Sequence, residues 1–136
     1  MAVKRKAIPK KVREAVYKKY NGHCAYCGKL ITYKEMQVDH LIPVQRERFK
    51  RYTEDQIECF ENYIPACRRC NHYKRAHSLE TFRKYIEQIP DKLYRDSYIY
   101  KVGLDFGLLE AHERKIKFFF EQFNENNSLI SNTEEL

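Results

Sequence analysis

Cys24-Ala25-Tyr26-Cys27-Gly28, close to the amino end, has its counterpart in Cys67-Arg68-Arg69-Cys70-Asn71 near the middle of the 136-residue chain. In each, two residues separate the cysteines, the spacing of a knuckle that turns both thiols toward one point. Two knuckles supply four thiolates, enough to close tetrahedrally around Zn²⁺. A cage of Cys24, Cys27, Cys67 and Cys70 leaves no open position for water or substrate, so its expected role is structural. Structural zinc contributes roughly 10–16 kcal/mol of apparent folding free energy in small peptides, comparable with the stability of a whole domain. A redox role for either pair has less support, since neither stands in a strand-to-helix setting of the thioredoxin kind. Cys59 has no partner at knuckle spacing and reads as a buried thiol. Between Cys27 and Cys67 lie 39 residues, against about 15–20 in common zinc ribbons. That intervening segment is expected to hold the chemistry.

Outside the knuckles, composition narrows the partners. The formal net charge is +7, and residues 1–51 hold 14 Lys or Arg against 4 Asp or Glu. A cationic amino-terminal third suits a polyanion, although charge alone fits a merely soluble surface equally well. Met1–Lys11 is basic without a following apolar run, and no stretch approaches the ~20 apolar residues of a membrane span, so a cytoplasmic protein is expected. Five cysteines in a reducing compartment favour metal ligation or free thiols over disulfides. The length suits one compact domain with a small core, which a metal would reinforce.

The coarse element pattern is mixed. Residues 9–20 predict a helix, with Pro9 at its start, Val12, Val16 and Tyr20 four apart, and Gly22 past its end. Tyr33–Ile42 suits a strand or hairpin with Asp39 and His40 near its middle, and Pro43 restricts the backbone beyond it. The run from Gln45 to Tyr52 is highly basic. Thr53 with Gln56 has capping-box spacing for a short helix through about Phe60. Asn62–Ala66 can supply a second strand, and Cys67–Arg75 a knuckle running into a helix. Ser78 can cap a further helix carrying Leu79, Phe82, Ile86 and Ile89, closed by Pro90. Tyr94, Tyr98, Ile99, Tyr100, Val102, Leu104 and Phe106 read as core, as do Ile116, Phe119, Phe120 and Phe123 along one face of a last helix. Asn124–Leu136 is polar with acidic charges only, and predicts a flexible tail.

Three groups remain: Val38-Asp39-His40-Leu41-Ile42-Pro43, then Asn62, then Cys70-Asn71-His72-Tyr73-Lys74. Alone, an Asp-His pair is usually a turn with a hydrogen-bonded imidazole, and an Asn after a Cys a turn residue or cap. In this order and between two cysteine knuckles, they resemble the HNH endonucleases, the ββα-metal nucleases, in the subgroup where Asn replaces the last His. The resemblance covers roughly Cys24–Lys74.

That resemblance implies an α+β fold: a ββα-metal hairpin and helix stapled by the four-cysteine zinc site, with additional flanking helices. It implies one nuclease domain over residues 1–123, with a core at about 20–76 and a helical extension at about 78–123. It further implies a hydrolase acting on DNA. Asp39 and Asn71 would offer hard oxygens to Mg²⁺ or Mn²⁺, with waters and a phosphate oxygen completing the shell. His40, an imidazole with an ordinary pKa of about 6.5, would take the proton from the attacking water. Asn62, too short and neutral for proton transfer, would brace the loop and hold His40 in a productive orientation. Lys74, which matches the family pattern, and with it Arg75, Arg68 and Arg69, would contact DNA phosphates. His23, His72, His77 and His112 match no family position and read as surface or structural residues, with His72 near enough to Asn71 to reach metal or DNA. One departure stands out. About 20 residues separate His40 from Asn62, where many family members have a short glycine-containing loop. The setting implied is a bacterial or phage-infected cell. Two other functions stay open at this point: a non-catalytic zinc module that binds nucleic acid, and a subunit of a phage packaging or restriction complex that is active only with its partner.

Overall fold

The computed structural model describes residues 7–44 and 51–134. Arg46, Arg48 and Lys50 of the basic run lie outside the described residues. Helix α1 (Lys10–Lys18) follows Pro9, whose ring-fixed φ of −58° suits a helix start, and buries Val16. Beyond it, Asn21 and Gly22 adopt positive φ and turn the chain into the first knuckle. Gly28 ends that knuckle at φ 81°, and a Cβ there would lie 2.8 Å from the Phe119 ring. Glycine is therefore required twice, for the turn and for the approach of a distant segment.

Strand β1 (Gln37–His40) pairs antiparallel with β2 (Tyr63–Ala66), setting Asp39 opposite Ile64 and His40 opposite Tyr63. All four residues of β2 are buried. Pro65 has no N–H to give, but its carbonyl accepts from Ala25 N–H at 2.8 Å, which ties the knuckle to the sheet. Between the strands, α2 (Glu54–Ile57) carries the predicted capping box, with Gln56 N–H on Thr53 Oγ1 at 3.2 Å and Thr53 N–H on Gln56 Oε1 at 2.8 Å. It stops short of Phe60, and a 3₁₀ turn over Phe60–Asn62 leads into β2. Cys59 is half-exposed rather than buried, its thiol donating to Gln56 O.

Helix α3 (Arg68–Lys74) starts on Cys67, whose sulfur accepts the Cys70 N–H, and packs on β1. The fold class expected from the sequence is thus the one found: a small antiparallel hairpin, a helix on it, and flanking helices.

Four more helices follow. Ser78 caps α4 (Leu79–Glu87), which sends Phe82 into the core. Pro90 does not close a helix as expected; it lies in the first turn of α5 (Ile89–Asp96), where its missing N–H costs nothing. Helix α6 (Tyr98–Asp105) packs on α5. A second expectation also fails here, because neither α5 nor α6 has a buried residue, and Tyr98, Ile99 and Phe106 are each about four-fifths exposed. With single-residue links at Gln88 and Ser97, α4, α5 and α6 pack each on the one before, which carries α6 away from the core.

The chain then returns without regular secondary structure over residues 109–118. Phe118, not singled out by the periodicity, is the buried aromatic: it stacks on Phe82 at 5.3 Å and meets Tyr26 edge-on at 5.4 Å. Phe119 and Phe120 N–H groups donate to Tyr26 and Ala25 carbonyls. Helix α7 (Phe119–Glu134) starts there and runs through most of the segment whose composition predicts a frayed tail. Arg83 on α4 clamps the return, donating to Ile116 O at 2.7 Å and to both oxygens of Glu121 at 2.8 and 2.9 Å. Among the described residues no helix is long and apolar enough to cross a membrane.

Candidate metal centres and active-site cleft

The four knuckle sulfurs, from Cys24, Cys27, Cys67 and Cys70, lie within 4.8 Å of one another. Cys24 and Cys67 are buried. A hydrogen bond from Cys70 holds the Cys24 thiol down to about 4, and the same bond pushes the Cys70 thiol up, so one sulfur of the pair takes the negative charge and the other keeps the proton. The Cys27 thiol is pushed up by burial. Four sulfurs this close repel one another as thiolates unless a cation joins them, and the donor set and spacing fit tetrahedral zinc.

The second centre is built on β1, whose alternation sends Gln37 and Asp39 to one face, toward α3. Asp39 is buried, and Oδ2 receives two donors: Tyr26 Oη–H at 2.5 Å and Lys74 Nζ–H at 3.1 Å. Burial, and next the Asp39 charge, pushes the Tyr26 phenol far above its ordinary range, so it stays a donor. With both donors on Oδ2, Oδ1 is the oxygen left for a cation. Asn71 Nδ2 donates to Gln37 Oε1 at 2.6 Å, which turns its amide so that the carbonyl oxygen is the free acceptor. Asp39, His40, Asn71, His72 and Arg75 all line one cleft beside Pro43 and Val44. One carboxylate oxygen and one amide oxygen facing a common cleft fit a hard divalent ion that keeps several waters.

His40 closes β1. Its Nε2 bonds Glu58 Oε1 at 3.0 Å, and Glu58 Oε2 accepts from Tyr63 Oη–H at 2.8 Å. Asn62, also buried, makes no hydrogen bond to the imidazole. It receives Ile42 N–H on Oδ1 at 2.7 Å and donates to the Ile42 and Ile57 carbonyls, each at 2.9 Å, while its own carbonyl accepts from Leu41 N–H. The loop leaving β1 is thereby pinned to the 3₁₀ turn entering β2.

Lys74, expected from the sequence as a DNA contact, lies inside the protein. Its side chain is 0 % exposed, paired with Asp39 and donating to His40 O at 3.0 Å. The helical period explains this: three residues past Asn71, position 74 stays on the face of α3 packed against β1. Arg68, Arg69 and Arg75 are exposed. Arg75 lines the Asp39 cleft, whereas Arg68 and Arg69 line a neighbouring one with Lys29 and Lys34. His72 borders both. Three partners had no signal in the sequence: Tyr26 inside the first knuckle, Gln37 two residues before Asp39, and Glu58 at the end of α2. Each meets its partner only through tertiary packing.

The two-stranded hairpin and helix beside the Asp39–His40–Asn71 cleft, with four clustered cysteines, are consistent with a ββα fold. Residues 24–77 match the sequence model of the HNH endonuclease family. A 54-residue segment is 35% identical to CRISPR-associated endonuclease Cas9 of Corynebacterium diphtheriae, a match covering 40% of this chain and 4% of that protein. Among solved structures, the Type II-C Cas9 enzyme from Actinomyces naeslundii is similar at 25% identity and a TM-score of 0.44, over 54% of this chain and 8% of that one. The chain thus spans a small fraction of the length of these relatives.

Proposed function

We propose that this chain is a metal-dependent DNA endonuclease that hydrolyses phosphodiester bonds at the Asp39–His40–Asn71 cleft. The observation supporting it most is the convergence of these three side chains and Arg75 on one cleft, with the imidazole of His40 tied down by Glu58. When Nε2 donates to Glu58, Nδ1 bears the lone pair and takes the proton from the attacking water. The Glu58 carboxylate stabilises the imidazolium that results, and Asn62 keeps the His40 loop in place. Arg75 neutralises phosphate charge. Mg²⁺ or Mn²⁺, held by Asp39 and Asn71, would polarise the scissile phosphate and stabilise the leaving 3′ oxygen. Zinc on the four cysteines has a structural role only.

In this proposal residues 1–123 act as one nuclease unit in the cytoplasm of a bacterial or phage-infected cell, and phage packaging or other nuclease-complex proteins are candidate partners. The test is incubation of supercoiled plasmid with wild-type protein and His40→Ala, without added divalent ion and then with Mg²⁺ or Mn²⁺. Metal-dependent nicking or linearisation that falls about 10²–10⁴-fold in the variant is expected. Intact plasmid with DNA binding retained would instead indicate a non-catalytic zinc module.

A further inference from the structure

A cleft of about 760 Å³ lies outside the reacting groups, lined by residues of α3, α4 and α5. Tyr73, His77, Tyr85 and Lys92 line it, together with His72 and Arg75, which also line the Asp39–His40 cleft. The two clefts are therefore neighbours at the end of α3. Arg75, at the junction, holds a positive φ of 51°, an uncommon conformation for a non-glycine residue.

Both lining tyrosines are half-exposed. Tyr73 and Tyr85 are 40% and 42% exposed; Tyr73 rests against Phe82 of the core, and the His77 and Tyr85 rings are nearly perpendicular with centres 4.9 Å apart. The charges are mostly positive: Arg75, Lys92 and Arg95 against one lining carboxylate, Asp91. Arg95 is already paired with Asp96 at 2.9 Å, which leaves Arg75 and Lys92 as the cations that a ligand in the cleft would meet. Half-exposed aromatic rings beside cations match the chemistry by which proteins hold single-stranded nucleic acid, where bases stack and phosphates meet charge. Paired bases present no such face. The volume falls within the range of about 300–1,000 Å³ seen for small-molecule pockets, suited to one or two nucleotides and too small for a duplex.

From this geometry we propose that the α3–α4–α5 cleft binds an unpaired nucleotide of the DNA strand beside the cleaved phosphate. Tyr85 stacks on its base, and Lys92 and Arg75 hold its phosphates. The inference rests on the nuclease reading for its DNA substrate, and predicts preference for substrates with an unpaired flank, such as a junction, overhang or opened strand.

The chain has no tryptophan, so Tyr85→Trp puts a single indole in the cleft. In a His40→Ala background without added divalent ion, this protein is titrated with a short single-stranded oligodeoxynucleotide and with a blunt duplex of the same sequence. Fluorescence anisotropy of labelled DNA reports occupancy, and indole emission reports stacking. Saturable quenching by the single strand, and none by the duplex at equal occupancy, is expected. Lys92→Glu should weaken single-strand binding about tenfold and reduce the salt slope by about one. Should the indole perturb folding, Tyr85→Ala read by anisotropy alone should lose single-strand affinity selectively. The proposal is overturned by binding without quenching, by equal quenching with the duplex, or by absent DNA binding. Failure of the nuclease reading registers separately, as plasmid left uncut by the wild-type chain.

Discussion

At position 74 a lysine ammonium lies wholly inside the protein, 3.1 Å from the Asp39 carboxylate that faces the proposed metal. Removing one member of a buried ion pair leaves the other charge unpaired, typically at a cost of about 3–5 kcal/mol. Lys74→Met should therefore lower stability by about that amount in urea unfolding, whereas replacing a DNA-contacting lysine would weaken affinity and leave stability nearly unchanged. Glu58 differs in kind. Its partner His40 is only partly covered, and Glu58→Gln retains the shape while removing the charge that meets Nε2. Changes at such outer partners commonly cost about 10–100-fold in activity, so kcat in plasmid cleavage should drop by that factor with Tm close to that of wild type. A drop as large as that of His40→Ala would make Glu58 a reacting group rather than a positioning one.

At the scale of elements, two staples join segments distant in sequence. The first is the cysteine cage, which ties the Cys24–Gly28 knuckle to the start of α3. Cys67→Ser should lose bound zinc by native mass spectrometry and also lose cooperative unfolding, because a domain of this size has little apolar burial to replace it. The second is Arg83, which holds the return segment and the first turn of α7 to α4. Its hydrogen bonds hold the Glu121 carboxyl below its ordinary value of 4.5. A carboxylate with a depressed folded pKa contributes stability that is complete above the unfolded value and disappears as pH falls through the folded one. The stability difference between wild type and Glu121→Gln should thus be greatest above pH 4.5 and shrink toward more acid conditions. Urea titrations of both proteins across that range measure it, and a constant difference would mean that the ion pair is not what separates them.

For the whole molecule, His72 on α3 lines three clefts, the Asp39–His40 cleft and two neighbours of it. Arg68, Arg69, Lys29 and Lys34 border one flank, and Lys92 with the two tyrosines the other. If DNA follows this path, log affinity should fall linearly with log salt, and Arg68→Ala with Arg69→Ala should reduce the slope by about one for each phosphate left without its cation. Much of this architecture was legible in the sequence. Knuckle spacing, the Thr53–Gln56 capping box and the order Asp39, His40, Asn62, Asn71 are local patterns, set by how few conformations a short peptide can adopt around caps, turns and thiol pairs. Knuckle spacing pointed to the four-sulfur site, while the hairpin-helix core and the candidate reacting groups followed from the family resemblance that this order of residues carries. Tertiary structure alone decided the rest: that Lys74 faces Asp39 instead of solvent, that Glu58 and not Asn62 hydrogen-bonds the imidazole, that Phe118 enters the core while Tyr98 and Phe106 stay outside, and that Arg75 borders two clefts. These outcomes depend on which faces of separate elements meet, and residues as far apart in the chain as Phe82 and Phe118 or Asp39 and Lys74 carry no local signal of the partner they pack against.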